Sequence, residues 1–513
     1  MDGATSRMNR RWAHLKPSDA HILAEEIRQS PQLAEVDVAG NNLRNAGTKV
    51  LCSGLASSHS VMSLDIGRNA MGNEGAIALS EAIKSSCPLQ FVNCEWNLLE
   101  DEGLTALASA VRYSDLIALD VHGNSFGSEG LAHLGTAVRR SSALSALELG
   151  WNAFGDEGLA AFFKGSISQM ALEEQAMEPV CGDDTQSISA AAAGAALPTA
   201  IPMPRVFSPA GLVGLGGQCP LTHLDLGRTS LTDKSALLLA TGLSNSRITH
   251  LNLAYNNLSH ISLLAYTQVW KASGAPPLQS LCMASNPLGR MAATAWKMCL
   301  PLLQETITSL DLTACNLGFG IGEALGECMP EMKQLTTLDI AKNDMQMNGF
   351  RLLCSRLSLW SQQALHVDLS SNALWDAACD EGTLDKMGSF LLIENAKIEK
   401  LVWQFSGNKF PRAMTEKLGE RHGAGKAARY MRFLWTMEED ENNEANANTL
   451  SLEKRLSPMR AAVATREVTL PAVVLDDGPP SKKENVAPKM AQKAPPKVQL
   501  QPCLSGPKKV KGK

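Results

Sequence analysis

Twelve cysteines and ten histidines are the side chains of this 513-residue chain best able to hold a metal or act as nucleophile and base. No two cysteines form a Cys-x-x-Cys pair and none stands at zinc-finger spacing from a histidine, so no structural zinc site is expected. The chain has no G-x-x-x-x-G-K-[ST] phosphate loop, no G-x-S-x-G elbow and no H-E-x-x-H pair. No catalytic residue, cofactor or metal is expected. Glycine-rich stretches such as NLGFGIGEALG read as turns and helix starts. His223, His250 and His366 fall at one recurring position, where they read as polar filler or as a patch whose charge follows pH.

The surrounding elements come from a repeat. Leu33, Val36, Val38, Asn41 and Leu43 set a pattern that returns as Val61, Leu64, Ile66, Asn69 and Met71, and again around Asn97, Asn124 and Asn152. After a gap it resumes at Leu221, Leu224, Leu226 and Thr229, then around Asn256, Asn286, Cys315, Asn343 and Asn372. A last, degenerate copy is Ile398, Leu401 and Trp403. The L-x-L core alternates as a short strand does. The recurrent Asn is suited to satisfy turn backbone that no ladder reaches. Glu-Gly pairs follow (Glu74-Gly75, Glu102-Gly103, Glu129-Gly130, Glu157-Gly158), then apolar residues at helical spacing. Each unit is strand, turn and helix, and no unit can bury its apolar face without a neighbour.

The pattern, clearest in LDIGRNAMGNEGAIALSEAI at residues 64–83, resembles the ribonuclease-inhibitor-like class of leucine-rich repeats. The resemblance implies an α/β leucine-rich repeat solenoid (horseshoe), with parallel strands on the concave face and helices on the convex face. It also implies a partner held on the concave face. Its members include sensing arms of NOD-like receptors, the activating protein of the GTPase Ran, and cytoskeletal and ciliary scaffolds. The expected organisation is a flexible N-terminus at 1–15, a helical cap and repeats 1–5 at 16–164, and a disordered insert at 165–219. Repeats 6–12 then occupy 220–410, a C-terminal helical cap 411–437, and a disordered, basic-ended tail 438–513.

Two columns of the repeat point out of the core. The position inside L-x-L reads Asp37, Asp65, Asn93, Asp120, Glu148, Asp225, Asn252, Cys282, Asp311, Asp339, Asp368 and Val402, eight of the twelve acidic. Such a stripe suits a basic partner. Three residues on stand Arg68, Trp96, Trp151, Arg228 and Tyr255, types from which interface hot spots are built. With Glu95, Asp120, His122 and Glu148 they form the expected partner-binding face. In the tail, Lys483-Glu484-Asn485 resembles the KEN degradation box and Ser457-Pro458 a proline-directed phosphosite.

Charge is nearly balanced, at net −5, so nothing favours nucleic acid. The first twelve residues lack the apolar stretch of a signal peptide, and no run nears the ~18 apolar residues of a membrane helix. The expectation is a monomeric, non-enzymatic scaffold or adaptor in the cytoplasm, at the cytoskeleton or cilium, or in the nucleus. The alternative is a regulator of a small GTPase like the activating protein of Ran.

Overall fold

Short parallel strands spaced about one repeat apart need a crossover each, and a helix is the usual crossover. A computed structural model shows this arrangement. It describes residues 7–85, 87–164, 214–362, 364–375, 379, 382–383, 391, 398–410, 416, 420 and 431–434. Fourteen strands, from β1 (Arg7–Asn9) to β14 (Met431–Leu434), form one sheet in which each pairs in parallel with the next in sequence. Helices from α1 (Ala20–Gln29) to α11 (Gln346–Cys354) run between them. Leu64, Leu119, Leu147, Leu224 and Leu251 point inward from their strands and meet the apolar sides of the helices in one continuous core.

The asparagine column stitches the turns. Asn97 Nδ2 donates to the carbonyls of Cys94 (3.0 Å) and Glu95 (3.3 Å) in its own repeat and of Ile66 (3.1 Å) in the one before. Its Oδ1 accepts the backbone N–H groups of Asn69 (3.0 Å) and Met71 (2.9 Å). Asn69, Asn124, Asn152, Asn256 and Asn343 repeat the arrangement. Where Thr229 replaces Asn, one hydroxyl bond to Leu226 remains (2.7 Å); at Cys315 a thiol faces the Met283 carbonyl at 3.1 Å.

Helix starts are capped by the repeat before. Asn45 Oδ1 accepts the N–H of Gly72 (2.7 Å) and Gly75 (3.2 Å) at the start of α3 (Asn73–Lys84). Asn73 does the same for Glu100 and Gly103, and Asp101 for Gly127 and Gly130. The Glu of each Glu-Gly pair lies in the first helical turn, where the positive end of the helix favours it. Capping therefore couples neighbouring repeats as well as ending helices.

Several boundaries differ from the sequence reading. Arg7–Asn9, placed in the flexible N-terminus, is β1, because Met8 is buried beside Val36 and the strand completes the exposed edge of β2 (Glu35–Asp37). Strand β6 (Ala146–Glu148) pairs directly with β7 (His223–Asp225), so the interruption puts no strand between them. Leu215 and Cys219, placed in the insert, are buried, and Leu215 N–H donates to Gly242 O (3.0 Å). Phe163 closes the same seam, its ring filling the space that a side chain at Gly242 would need.

At the other end, Met431–Leu434, placed in a helical cap, is β14, paired in parallel with β13 (Lys400–Gln404). The pairing Asp368↔Gln404 puts Gln404, and not Val402, in the acidic column. Asn408 completes the asparagine ladder, accepting from Asn372 (2.8 Å) and donating to Leu369 (2.8 Å) and Phe405 (3.0 Å). Residues 165–213, Ser457, Lys483, Glu484 and Asn485 lie outside the described residues. Among the described residues no helix is long and apolar enough to cross a membrane.

Candidate functional site

The acidic column has a local reason for its residue type. Asp65 Oδ1 accepts the N–H of Gly67 (3.1 Å), Asp120 that of His122 (2.9 Å), Asp225 that of Gly227 (2.6 Å) and Asp311 that of Thr313 (3.0 Å). Asn93 and Asn252 make the same bond, to Glu95 (2.8 Å) and Ala254 (3.0 Å). A short side chain with an acceptor three bonds from Cα closes this turn, so Asp and Asn interchange. The stripe is also partly neutralised. Arg11 Nε lies 3.0 Å from Asp37 Oδ2, and its other arm pairs with Asp65. Burial pushes the Asp65 carboxyl up to about 6 against the pull of Arg11, and pushes Asp120 up to about 8.

The turn forces the next column out. Arg68, Trp96, Trp151, Arg228 and Tyr255 all have φ between 49° and 59°, in the left-handed region, as do Gly40 and Gly123 at 70° and 67°. Non-glycine residues there cost about 1 kcal/mol each. The asparagine ladder beneath holds them in place.

These side chains form a ridge of three rings and two cations. Arg68 Cζ lies 5.3 Å from the Trp96 ring centre, and Trp96 meets Trp151 edge to face at 5.3 Å. Arg228 Cζ lies 3.9 Å over Trp151 and 5.4 Å from Tyr255. Trp96 and Trp151 belong to repeats two apart and touch because Gly123 stands between them. A Cβ there would come 2.6 Å from Trp96 Cδ2. Trp12, which the sequence reading left in the N-terminus, takes the same left-handed turn (φ 55°) and covers Gly40 in the same way. Tyr255 is 55% exposed and Trp96 36%, while Trp151 is half-buried beneath Arg228.

Glu95, Asp120 and His122 form the floor of the ridge and not its surface, being 5%, 9% and 6% exposed. His122 Nδ1 faces Glu95 Oε2 at 3.8 Å and Asp120 Oδ1 at 3.7 Å, while Glu95 Oε1 pairs with Arg68 Nε at 3.3 Å. The imidazole packs against Trp96 and Trp151 at 5.5 and 6.4 Å. These three carry the donor atoms that could hold a metal. Glu148 stands beside Asp120 and Asp225 in the strand register.

A family model described as "Leucine Rich repeat" matches residues 57–80 and 141–163, which span β3 (Ser63–Asp65) and β6 with the turns and helices after them. The chain is a leucine-rich-repeat protein. The mouse protein "NACHT, LRR and PYD domains-containing protein 4C" is 33% identical over 145 residues, 28% of this chain and 14% of that protein. The human "NACHT, LRR and PYD domains-containing protein 14" is 28% identical over 163 residues, 32% of this chain and 12% of that one. The leucine-rich-repeat chain thus matches only a small share of these relatives' length. Among solved structures, an internalin from Listeria monocytogenes aligns with TM-score 0.39 and 13% identity, over 82% of this chain and 90% of that one.

The histidine position of this leucine-rich-repeat sheet is built of neighbours. His223 and His250 stack with ring centres 4.0 Å apart and planes 11° from parallel, and their Nδ1 atoms meet Thr222 Oγ1 (2.8 Å) and Thr249 Oγ1 (2.9 Å). His366 shares the column but sits several strands away. Burial, helped by His250, pulls His223 down to about 4. Unfolded imidazole takes a proton near pH 6.5. As pH falls from 6.5 towards 4, the unfolded state therefore gains a proton that folded His223 refuses, and stability drops. Below about 4 this contribution levels off. His223→Leu is expected to flatten the fall in Tm between pH 6.5 and 4.5 relative to the parent; parallel Tm curves would show that His223 does not titrate between the two states.

Proposed function

We propose that the protein is a non-catalytic scaffold or adaptor that holds a protein partner on the strand side, the concave face of the solenoid, along the ridge from Arg68 to Tyr255. The contiguity of Arg68, Trp96, Trp151, Arg228 and Tyr255 carries this reading. Large rings and guanidinium groups, fixed by a backbone that cannot relax, meet a partner with little entropy left to lose. Leucine-rich repeats as a class hold protein partners, which supports the coarse reading. Glu148 and Asp225, acidic positions beside the ridge, suit a partner with a basic surface, and the pairing of Arg11 with Asp37 and Asp65 narrows the negative part to the repeats beyond.

In this reading the chain acts as a monomer, bound to neither nucleic acid nor membrane, in the cytoplasm, at the cytoskeleton or cilium, or in the nucleus. Regulation of a small GTPase rests on the resemblance to the activating protein of Ran alone. Unchanged GTP hydrolysis across a panel of small GTPases would remove it.

Trp96→Ala and Trp151→Ala are each expected to weaken partner capture at least tenfold while leaving Tm within a few degrees, since both rings lie outside the core cluster. Loss of folding in both variants would make the rings structural. Undiminished capture by both folded variants would move the binding face elsewhere.

A further inference from the structure

We propose that Glu95, Asp120 and His122 bind a divalent cation of the zinc class beneath the tryptophan pair. The donors come from two adjacent repeats, β4 (Phe91–Asn93) and β5 (Ala118–Asp120) with the turns that follow, so no sequence spacing announces them. One imidazole nitrogen and two carboxylates converge, their ligand atoms all within 4.8 Å of one another. Bonds of about 2.1 Å to a tetrahedral ion would put donors about 3.4 Å apart. The imidazole edges, at 3.8 and 3.7 Å, need to close by only a few tenths of an ångström.

Two of the three ligands are already oriented by neighbours. Arg68 holds Glu95 by Oε1, leaving Oε2 towards His122, and the backbone N–H of His122 donates to Asp120 Oδ1 at 2.9 Å. Such outer contacts are what aim ligands in metal sites. Trp96 and Trp151 supply an apolar wall on the imidazole side. The charge balance favours a cation. Two carboxylates, both about nine-tenths buried or more, share the site with Arg68 as their adjoining counter-charge. A divalent ion offsets both acids where Arg68 reaches Glu95 alone. Mixed imidazole and carboxylate donors suit zinc better than magnesium or calcium, which prefer all-oxygen shells. Three protein ligands leave a fourth position, which water or a donor from outside the chain would fill.

The test is titration of the full-length protein with zinc chloride, followed by calorimetry and tryptophan emission, with cobalt(II) absorption reporting geometry. One ion per chain is expected, with a change in emission and a rise in Tm as the ion binds the folded state alone. His122→Gln and Asp120→Asn are each expected to weaken that site at least tenfold and to abolish the emission change. Asp120→Asn keeps the turn, because Asn93 and Asn252 make the same bond in this column. It therefore tests the site even if His122→Gln does not fold. Equal zinc affinity in the folded variants would place the ion on other residues, such as the twelve cysteines, and overturn the proposal. No stoichiometric binding by the parent up to about 100 µM zinc would overturn it as well.

Discussion

Asn97→Ala is expected to remove about 3–5 kcal/mol of folding stability. The amide is 5% exposed and makes five bonds across two repeats. Alanine leaves the N–H groups of Asn69 and Met71 facing a methyl group, and each buried orphan costs about 1–3 kcal/mol. The carbonyls it served lose a donor at the same time. Because stability of a repeat array is summed over neighbouring interfaces, the repeats before Asn97 are expected to melt apart from those after it. Asn97→Thr should cost less, since Thr229 shows that a hydroxyl can keep one of the bonds. Urea unfolding followed by circular dichroism checks both; a loss below about 1 kcal/mol for Asn97→Ala would show that water replaces the amide.

Gly135→Val is expected to be at least as damaging, for a steric reason. Gly135 lies in α5 (Ser128–Arg140), where a Cβ would stand 1.9 Å from the carbonyl oxygen of Phe162 in α6 (Gly155–Lys164) and 3.0 Å from its Cα. Backbone atoms cannot rotate aside, so the two helices must part. Phe162 and Phe163, both fully buried, would then lose packing. Overpacking of this kind costs about 1–3 kcal/mol when the site can adjust, and more when backbone blocks it. The helix also carries Phe163 into the seam with Gly242, so the damage should spread to the junction of the two runs of repeats. Gly217→Ala, where the nearest atom would be 3.5 Å away, is the control. Thermal unfolding of the two variants decides: a Gly135→Val protein with the Tm of the control would mean that α5 and α6 pack less closely than described.

The sequence made the repeat legible because each position answers to one physical demand. Leucines mark the buried side of a strand, asparagine the turn with no ladder to serve it, and acid the start of a helix. Legibility failed where the demand changed. The last asparagine, Asn408, follows Asn372 by 36 residues instead of 27 to 30, so the repeat spacing points to Val402, two residues before Gln404. Strand β1 has a single buried apolar residue, Met8, between Arg7 and Asn9, and short strands carry little periodicity. Strand β14 lies in an apolar run whose pattern suits helix or strand equally until its partner is seen.

At the candidate site, the columns named the ridge residues but not their contacts. Nothing in the sequence says that Trp96 leans across Gly123 to reach Trp151, because that depends on a missing side chain one repeat away. The same holds for Arg11, which reaches Asp65 from 54 residues upstream. From the sequence the acidic stripe reads as an attractive surface, whereas its first duty is to close the turn that presents the ridge. That duty explains why asparagine serves at 93 and 252.

A photo-crosslinking side chain introduced at Arg68 or Tyr255 on the ridge, and in parallel at Ile22 or Tyr113 on the helix side, tests the ridge most directly. All four positions are exposed, so each substitution should spare the fold. Irradiation in the native cell is expected to link one and the same protein to positions 68 and 255 and to leave 22 and 113 without it. Crosslinking of that protein from Ile22 and Tyr113, with none from the ridge, would contradict the account.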